Sequence, residues 1–209
     1  MASNSRELIS ADDVLDLLRK GNERFVRNQP AGRDFNAQRS RLVGGQSPCA
    51  AIVSCIDSRV AAELIFDLDL GQVFHTRMAA ACATTELIAG LEYAAVSGVA
   101  LVVVMGHTGC GAVNAAVARR AGAEKISDNL EGLLEGLYPA IDRVPDFPGE
   151  KSAENPSFVN AVARASVLET VSGIRRASPL LADHEKKGLK IQGAMYDLKT
   201  GVVEFLSPA

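Results

Sequence analysis

Soft and switchable side chains are scarce in this 209-residue chain, which carries four cysteines (Cys49, Cys55, Cys82, Cys110) and three histidines (His75, His107, His184). Cysteines so few and so scattered exclude a disulfide scaffold. Long apolar runs are also missing. The strongest, Val99 to Met105, has seven residues, against roughly 20 for a bilayer-spanning helix. The opening Met1-Ala-Ser-Asn-Ser-Arg-Glu shows no basic stretch leading into an apolar one, so no secretory signal is read. Nor is there a block of like charge. Lys and Arg number 22 against 25 Asp and Glu, a net of −3, which leaves no electrostatic footprint for nucleic acid or an anionic membrane. We therefore expect a cytoplasmic protein whose partner is a small molecule or a second copy of itself. In a reducing compartment, clustered cysteines more often mean metal or catalysis than a structural disulfide.

The composition, 47% hydrophobic and 22% charged, is that of an ordinary globular domain. We expect one domain over 1–209, with a helical arm and loop in 1–46 and an α/β core in 47–209. Ser10-Ala-Asp-Asp13 reads as an N-cap with an acidic first turn, and Val14, Leu17, Leu18 and Phe25 behind it form a helical stripe. The polar stretch 28–46 reads as loop with one helical turn at most. Ala50 to Cys55 and Ala100 to Met105 are short continuous apolar runs, the signature of strands buried on both faces in a parallel sheet. Between them lie a helix over 61–66, a strand over 72–76 and a helix over 84–97. Strand and helix alternate as in βαβ units. Further helices are expected over 111–121, 129–141 and 158–176, with an exposed connection over 143–156. The runs 189–195 and 202–206 read as a closing antiparallel hairpin. The expected fold is α/β: a mostly parallel sheet of about four strands with an antiparallel edge, flanked by helices.

Chemistry concentrates in two motifs, Cys55-Ile-Asp57-Ser-Arg59 after the first buried strand and Gly106-His107-Thr-Gly-Cys110-Gly111 after the second. If the strand continues, side chains two apart share a side, which groups Cys55, Asp57 and Arg59. Ligand sites in open α/β sheets lie beyond the carboxyl ends of strands, where both motifs fall. Two thiols and an imidazole, Cys55, His107 and Cys110, form a Cys2His set that suits zinc and leaves a fourth position open. An open position points to catalysis, because zinc lowers the pKa of a bound water to about 7. Asp57 has two possible jobs: filling that position, or accepting a hydrogen bond from the nucleophile. A bidentate Arg59 decides between them by holding the carboxylate off the metal. The glycines 106, 109 and 111 fit neither a dinucleotide loop nor a Walker loop.

These paired motifs resemble the β-class carbonic anhydrases. The similarity extends to Gly21-Asn-Glu-Arg-Phe25, Ala62-Glu-Leu-Ile-Phe-Asp67, Glu92-Tyr-Ala94 and the segment Tyr196 to Phe205, which look like the bacterial branch. The resemblance implies reversible hydration of carbon dioxide to bicarbonate and a proton by a zinc-bound hydroxide. One zinc per chain would be held by Cys55, His107 and Cys110, with Asp57 capping the metal in a closed state or working with Arg59 in an open one. It implies substrate contacts from Gln46 and the Gly111 amide, and an apolar carbon dioxide pocket lined by Phe74, Ala79 and Tyr93, the last from either subunit. It also implies a homodimer or homotetramer. One stretch departs from the family pattern: Arg77-Met-Ala-Ala-Ala81 stands where an Arg followed by Ala-Gly-Asn is usual. That departure keeps two alternatives open, hydrolysis of carbonyl sulfide or carbon disulfide on the same zinc, and a non-catalytic zinc- or bicarbonate-binding homologue.

Overall fold

The structure, a computed structural model, describes residues 9–207. It opens with helix α1 (Ala11–Val26), started by a capping box in which Ser10 Oγ accepts the Asp13 N–H at 3.1 Å and the Asp13 carboxylate accepts the Ser10 N–H at 3.2 Å. Helix α2 (Phe35–Leu42) follows, capped by Asp34. The core then runs β1 (Ala50–Ser54), α3 (Ala62–Ile65), β2 (Val73–Arg77), a 3-10 turn (Ala79–Ala81), α4 (Thr85–Val96), β3 (Leu101–His107) and α5 (Gly111–Arg120). After α5 come α6 (Asp128–Glu135), α7 (Tyr138–Asp142), α8 (Pro156–Ala177), α9 (Pro179–Glu185), β4 (Lys190–Tyr196) and β5 (Val203–Phe205).

The five strands form one sheet in the order β2-β1-β3-β4-β5. The first three pairings are parallel and β4/β5 is antiparallel, as the α/β reading expected, with one strand more than the four or so anticipated. β1 and β3 are buried along their whole length because helices cover both faces. Alternation sends Ala51, Val53, Val102 and Val104 to one face, under α4, α5 and α8. Ala50, Ile52, Leu101, Val103 and Met105 go to the other, where Val14 and Leu18 of α1 and Ile65 of α3 pack. Gly106 lets α8 lie close on β3: a Cβ there would stand 2.6 Å from Val167 Cγ2 and 2.9 Å from Met195 Sδ.

Three expectations are corrected. The stretch 28–46 holds two helical turns, α2, where one at most was read. The helix expected over 129–141 is broken into α6 and α7, because Pro139 near the start of α7 has no N–H with which to continue a helix from α6. Helix α9 was not anticipated; it is short, and its signal is local, Ser178 capping Leu181 N–H with Pro179 in the first turn.

Candidate metal centre

Neighbouring parallel strands β1 and β3 end on the same edge of the sheet, and the two motifs meet there. Cys55 follows β1, His107 is the last residue of β3, and Cys110 is the N-cap of α5. Their ligand atoms all lie within 4.8 Å of one another, and all three residues are buried. The two sulfurs are 4.0 Å apart, against about 3.8 Å between two thiolates on a tetrahedral zinc with bonds of about 2.3 Å. His107 Nδ1 lies 2.9 Å from the Thr108 carbonyl oxygen. A carbonyl only accepts, so Nδ1 holds the proton and Nε2 keeps its lone pair for the metal. That Nε2 is buried with no hydrogen-bond partner. A buried lone pair between two thiols is a donor set waiting for a soft or borderline divalent ion, and the residues fit zinc.

The electrostatics agree. The Cys110 thiol hydrogen-bonded to it, helped by the Asp57 and Ala80 amides, holds Cys55 well below the usual thiol range despite its burial. Cys110 is pushed up by sharing that same bond and by burial, while the Val113 and Ala112 amides at the start of α5 act in the opposite direction.

Asp57 and Arg59 do come together with Cys55, though not by strand alternation. The strand stops at Ser54 and the chain turns, with Val60 N–H donating to the Asp57 carbonyl at 2.9 Å. Within that turn Arg59 grips the Asp57 carboxylate three times: backbone N–H and Nε to Oδ1 at 2.9 Å each, and Nη2 to Oδ2 at 2.6 Å. This fork holds the Asp57 carboxyl well below the ordinary carboxylate range. Asp57 Oδ2 lies 4.0 Å from His107 Nε2, beside the donor set and outside it. The carboxylate is turned to Arg59.

The remaining expected residues divide by the direction of the strands. Ala79 sits in the turn beyond β2, next to Ala80, whose amide reaches Cys55, and Gly111 is the first residue of α5 beside Cys110. Both are at the metal edge. Gln46 precedes β1 on an exposed loop, at the opposite end of the strand from Cys55. Phe74 pairs in register with Ala51, four residues or roughly 13 Å back from Cys55, and its ring meets Tyr93 edge-on at 5.7 Å. Tyr93 is 62% exposed. Within one chain, then, Gln46, Phe74 and Tyr93 do not line the metal centre. Other residues that support it carry no sequence signal. Asn160 of α8 accepts the Gly109 N–H at 2.9 Å, holding the left-handed bend (φ 63°) that turns Cys110 back toward His107. Thr108 Oγ1 accepts the Leu198 N–H at 3.0 Å.

A carbonic anhydrase family profile matches residues 50–203, a span that holds all three metal-set residues and the four strands β1 to β4. The chain belongs to the β-class carbonic anhydrase family. Carbonic anhydrase 2 of Mycobacterium tuberculosis is 38% identical over 189 residues, covering 88% of this chain and 87% of the relative. Among solved structures, a β-carbonic anhydrase of Aspergillus fumigatus superposes with a TM-score of 0.72 at 23% identity, covering 95% of this chain and 91% of the other. One of two β-carbonic anhydrases from Sordaria macrospora described as tetrameric superposes at 0.69, also at 23% identity, covering 81% and 85%. Membership makes this chain an enzyme of the carbonic anhydrase type. No helix among the described residues is long and apolar enough to cross a membrane.

Proposed function

We propose that this β-class carbonic anhydrase interconverts carbon dioxide and bicarbonate at one zinc ion per chain held by Cys55, His107 and Cys110. The observation that carries the reading is the unpartnered, buried Nε2 of His107 facing two thiols, with Asp57 held aside by Arg59. When bound there, zinc supplies Lewis-acid activation of a water near neutral pH. Everything else falls to the chain. Arg59 fills three acceptor directions of Asp57 and leaves Oδ2 one lone pair on the metal side. That oxygen accepts a hydrogen bond from the nucleophile and orients it, and the depressed carboxyl stays ionised throughout the working range. Ala79, in the turn beyond β2, adds apolar surface suited to an uncharged gas, while the N-terminus of α5 at Gly111 favours the anionic product.

The reading extends to a homo-oligomer in a reducing, cytoplasmic setting that keeps ligand thiols free. Phe74 is on β2, the free edge strand of the sheet, Tyr93 packs against it from α4, and Gln46 lies in the loop that leads into the neighbouring β1. There they would serve the site of a second copy. The tetrameric Sordaria macrospora relatives support assembly. Stopped-flow carbon dioxide hydration by protein carrying one zinc per chain tests the proposal. A rate well above buffer background between pH 7 and 9 is expected; background rates at full zinc content would overturn it. Sulfide release from carbonyl sulfide without hydration would assign the alternative hydrolase.

A further inference from the structure

Three carbonyl groups of the segment that carries Cys55 and Asp57 accept hydrogen bonds from the end of β2 and the residue after it. Ser54, the last residue of β1, pairs in register with Arg77, the last residue of β2, and the following Met78 N–H donates to the Ser54 carbonyl at 2.9 Å. The Arg77 side chain then crosses under the turn. Its Nε donates to the Cys55 carbonyl at 3.1 Å, and its Nη2 donates to the Asp57 carbonyl at 2.5 Å. No carboxylate among the described residues lies within ion-pair distance of Arg77, and the acid nearby, Glu63, is engaged at 3.0 Å by His75 Nδ1. The guanidinium is thus committed to two carbonyls, two residues apart, in the segment that presents a ligand thiol and the carboxylate beside it.

We infer that Arg77 is a positioning residue for the metal centre, acting through the Cys55–Asp57 turn. A turn of non-repeating backbone has no ladder to fix it, and Cys55 Sγ must meet His107 and Cys110 within a few tenths of an ångström to share one ion. The fork supplies the missing constraint. Two N–H groups at fixed separation in a rigid plane define both the distance and the tilt between the two carbonyls, which a single ammonium cannot do. Arg77 touches neither metal position nor substrate. Its effect is to keep Cys55 Sγ at its 4.0 Å spacing from Cys110 and Asp57 within reach of Arg59.

This inference rests on the reading of the cluster as a zinc site, and its test separates the two. Zinc affinity, measured by competition with a chromophoric chelator, is compared for the wild type, Arg77→Gln, Arg77→Lys and a control, Arg164→Ala, which removes an exposed ion pair with Glu204. The absorption spectrum of each cobalt(II)-substituted protein and the melting of each metal-free protein are recorded alongside. Arg77→Gln is expected to lose zinc affinity ten- to a hundredfold, the range for residues that orient metal ligands, with a shifted cobalt d–d spectrum. Arg77→Lys should fall between it and the wild type, and the control should match the wild type. If Arg77→Gln does not fold, Arg77→Lys decides on the same readouts. Wild-type affinity and spectrum in the Arg77 variants, or an affinity loss fully matched by lost stability of the metal-free protein, would overturn the inference. A wild type that takes up no zinc would overturn the functional reading beneath it.

Discussion

Asp57 Oδ2 stands 4.0 Å from His107 Nε2 and is bonded by Arg59, and the proposed mechanism depends on that placement of one carboxylate between two neighbours. Asp57→Asn keeps the shape but offers an amide where an acceptor is needed. It should lower kcat by about a hundredfold or more while zinc content stays at one per chain, read by stopped-flow hydration and metal analysis on the same sample. Arg59→Ala frees the carboxylate to approach the metal and should lower activity similarly. The three residues of the metal set were legible because ligand chemistry restricts residue type so severely; Asp57 and Arg59 were picked out as well, but the strand alternation invoked to group them is replaced by a turn after Ser54. Arg77 could be read only as supporting either the site or an interface, and Asn160 not at all. Their hydrogen bonds reach from β2 and α8 to backbone atoms of other elements, and backbone acceptors leave no trace in composition or period. The Ala80-Ala81 departure has a structural correlate: both residues are left-handed, at φ 55° and 54°, where an L side chain is strained.

Helix packing sets its own limits. Gly21 lies where α1 crosses the end of α3, and a Cβ there would stand 1.8 Å from the Phe66 carbonyl oxygen. Backbone cannot yield as a side-chain tip does, so Gly21→Ala should destabilise the protein by about 2–3 kcal/mol, seen as a lower midpoint in urea. The arm is also latched by charge. Asp67, buried after α3, receives Arg24 from α1, Arg33 from the following loop and the Ala31 N–H. Burial pushes its pKa up, but the Arg33 and Arg24 hydrogen bonds outweigh that and bring it down to about 2. Because the folded value lies below the unfolded one of about 3.9, this contribution is fully present above about pH 4 and is lost as pH falls through about 2. Asp67→Asn should be less stable than the wild type at pH 7, with the gap closing toward pH 2 in thermal melts. Strands and long helices were legible here because their periods are; the break at Pro139 and the short α9 were missed because each depends on one or two residues rather than on a pattern.

At the scale of the molecule, β2 leaves one side of the sheet unpaired, and Tyr93 and Val96 stand exposed beside it, each at 62%. Large apolar groups on an open edge mark an association surface. Tyr93→Glu should shift the assembly toward monomers in sedimentation velocity and lower kcat/KM, since each site would lose what a second copy supplies; an unchanged assembly with full activity would count against that arrangement. The resemblance implies pocket roles for Gln46, Phe74 and Tyr93, but their distance from Cys55 within one chain follows from strand direction, which the resemblance alone does not give. Cys55 and His107 are fifty-two positions apart in the chain, brought side by side only when β1, β2, α4 and β3 have closed into a crossover. Before that closure an incoming ion finds just the local pair His107 and Cys110, a weak chelate. On the proposed zinc reading the full ligand set exists only in the folded frame, so metal-free protein should give the same far-UV circular dichroism as the loaded enzyme, and a metal-free chain that is unfolded would count against that order.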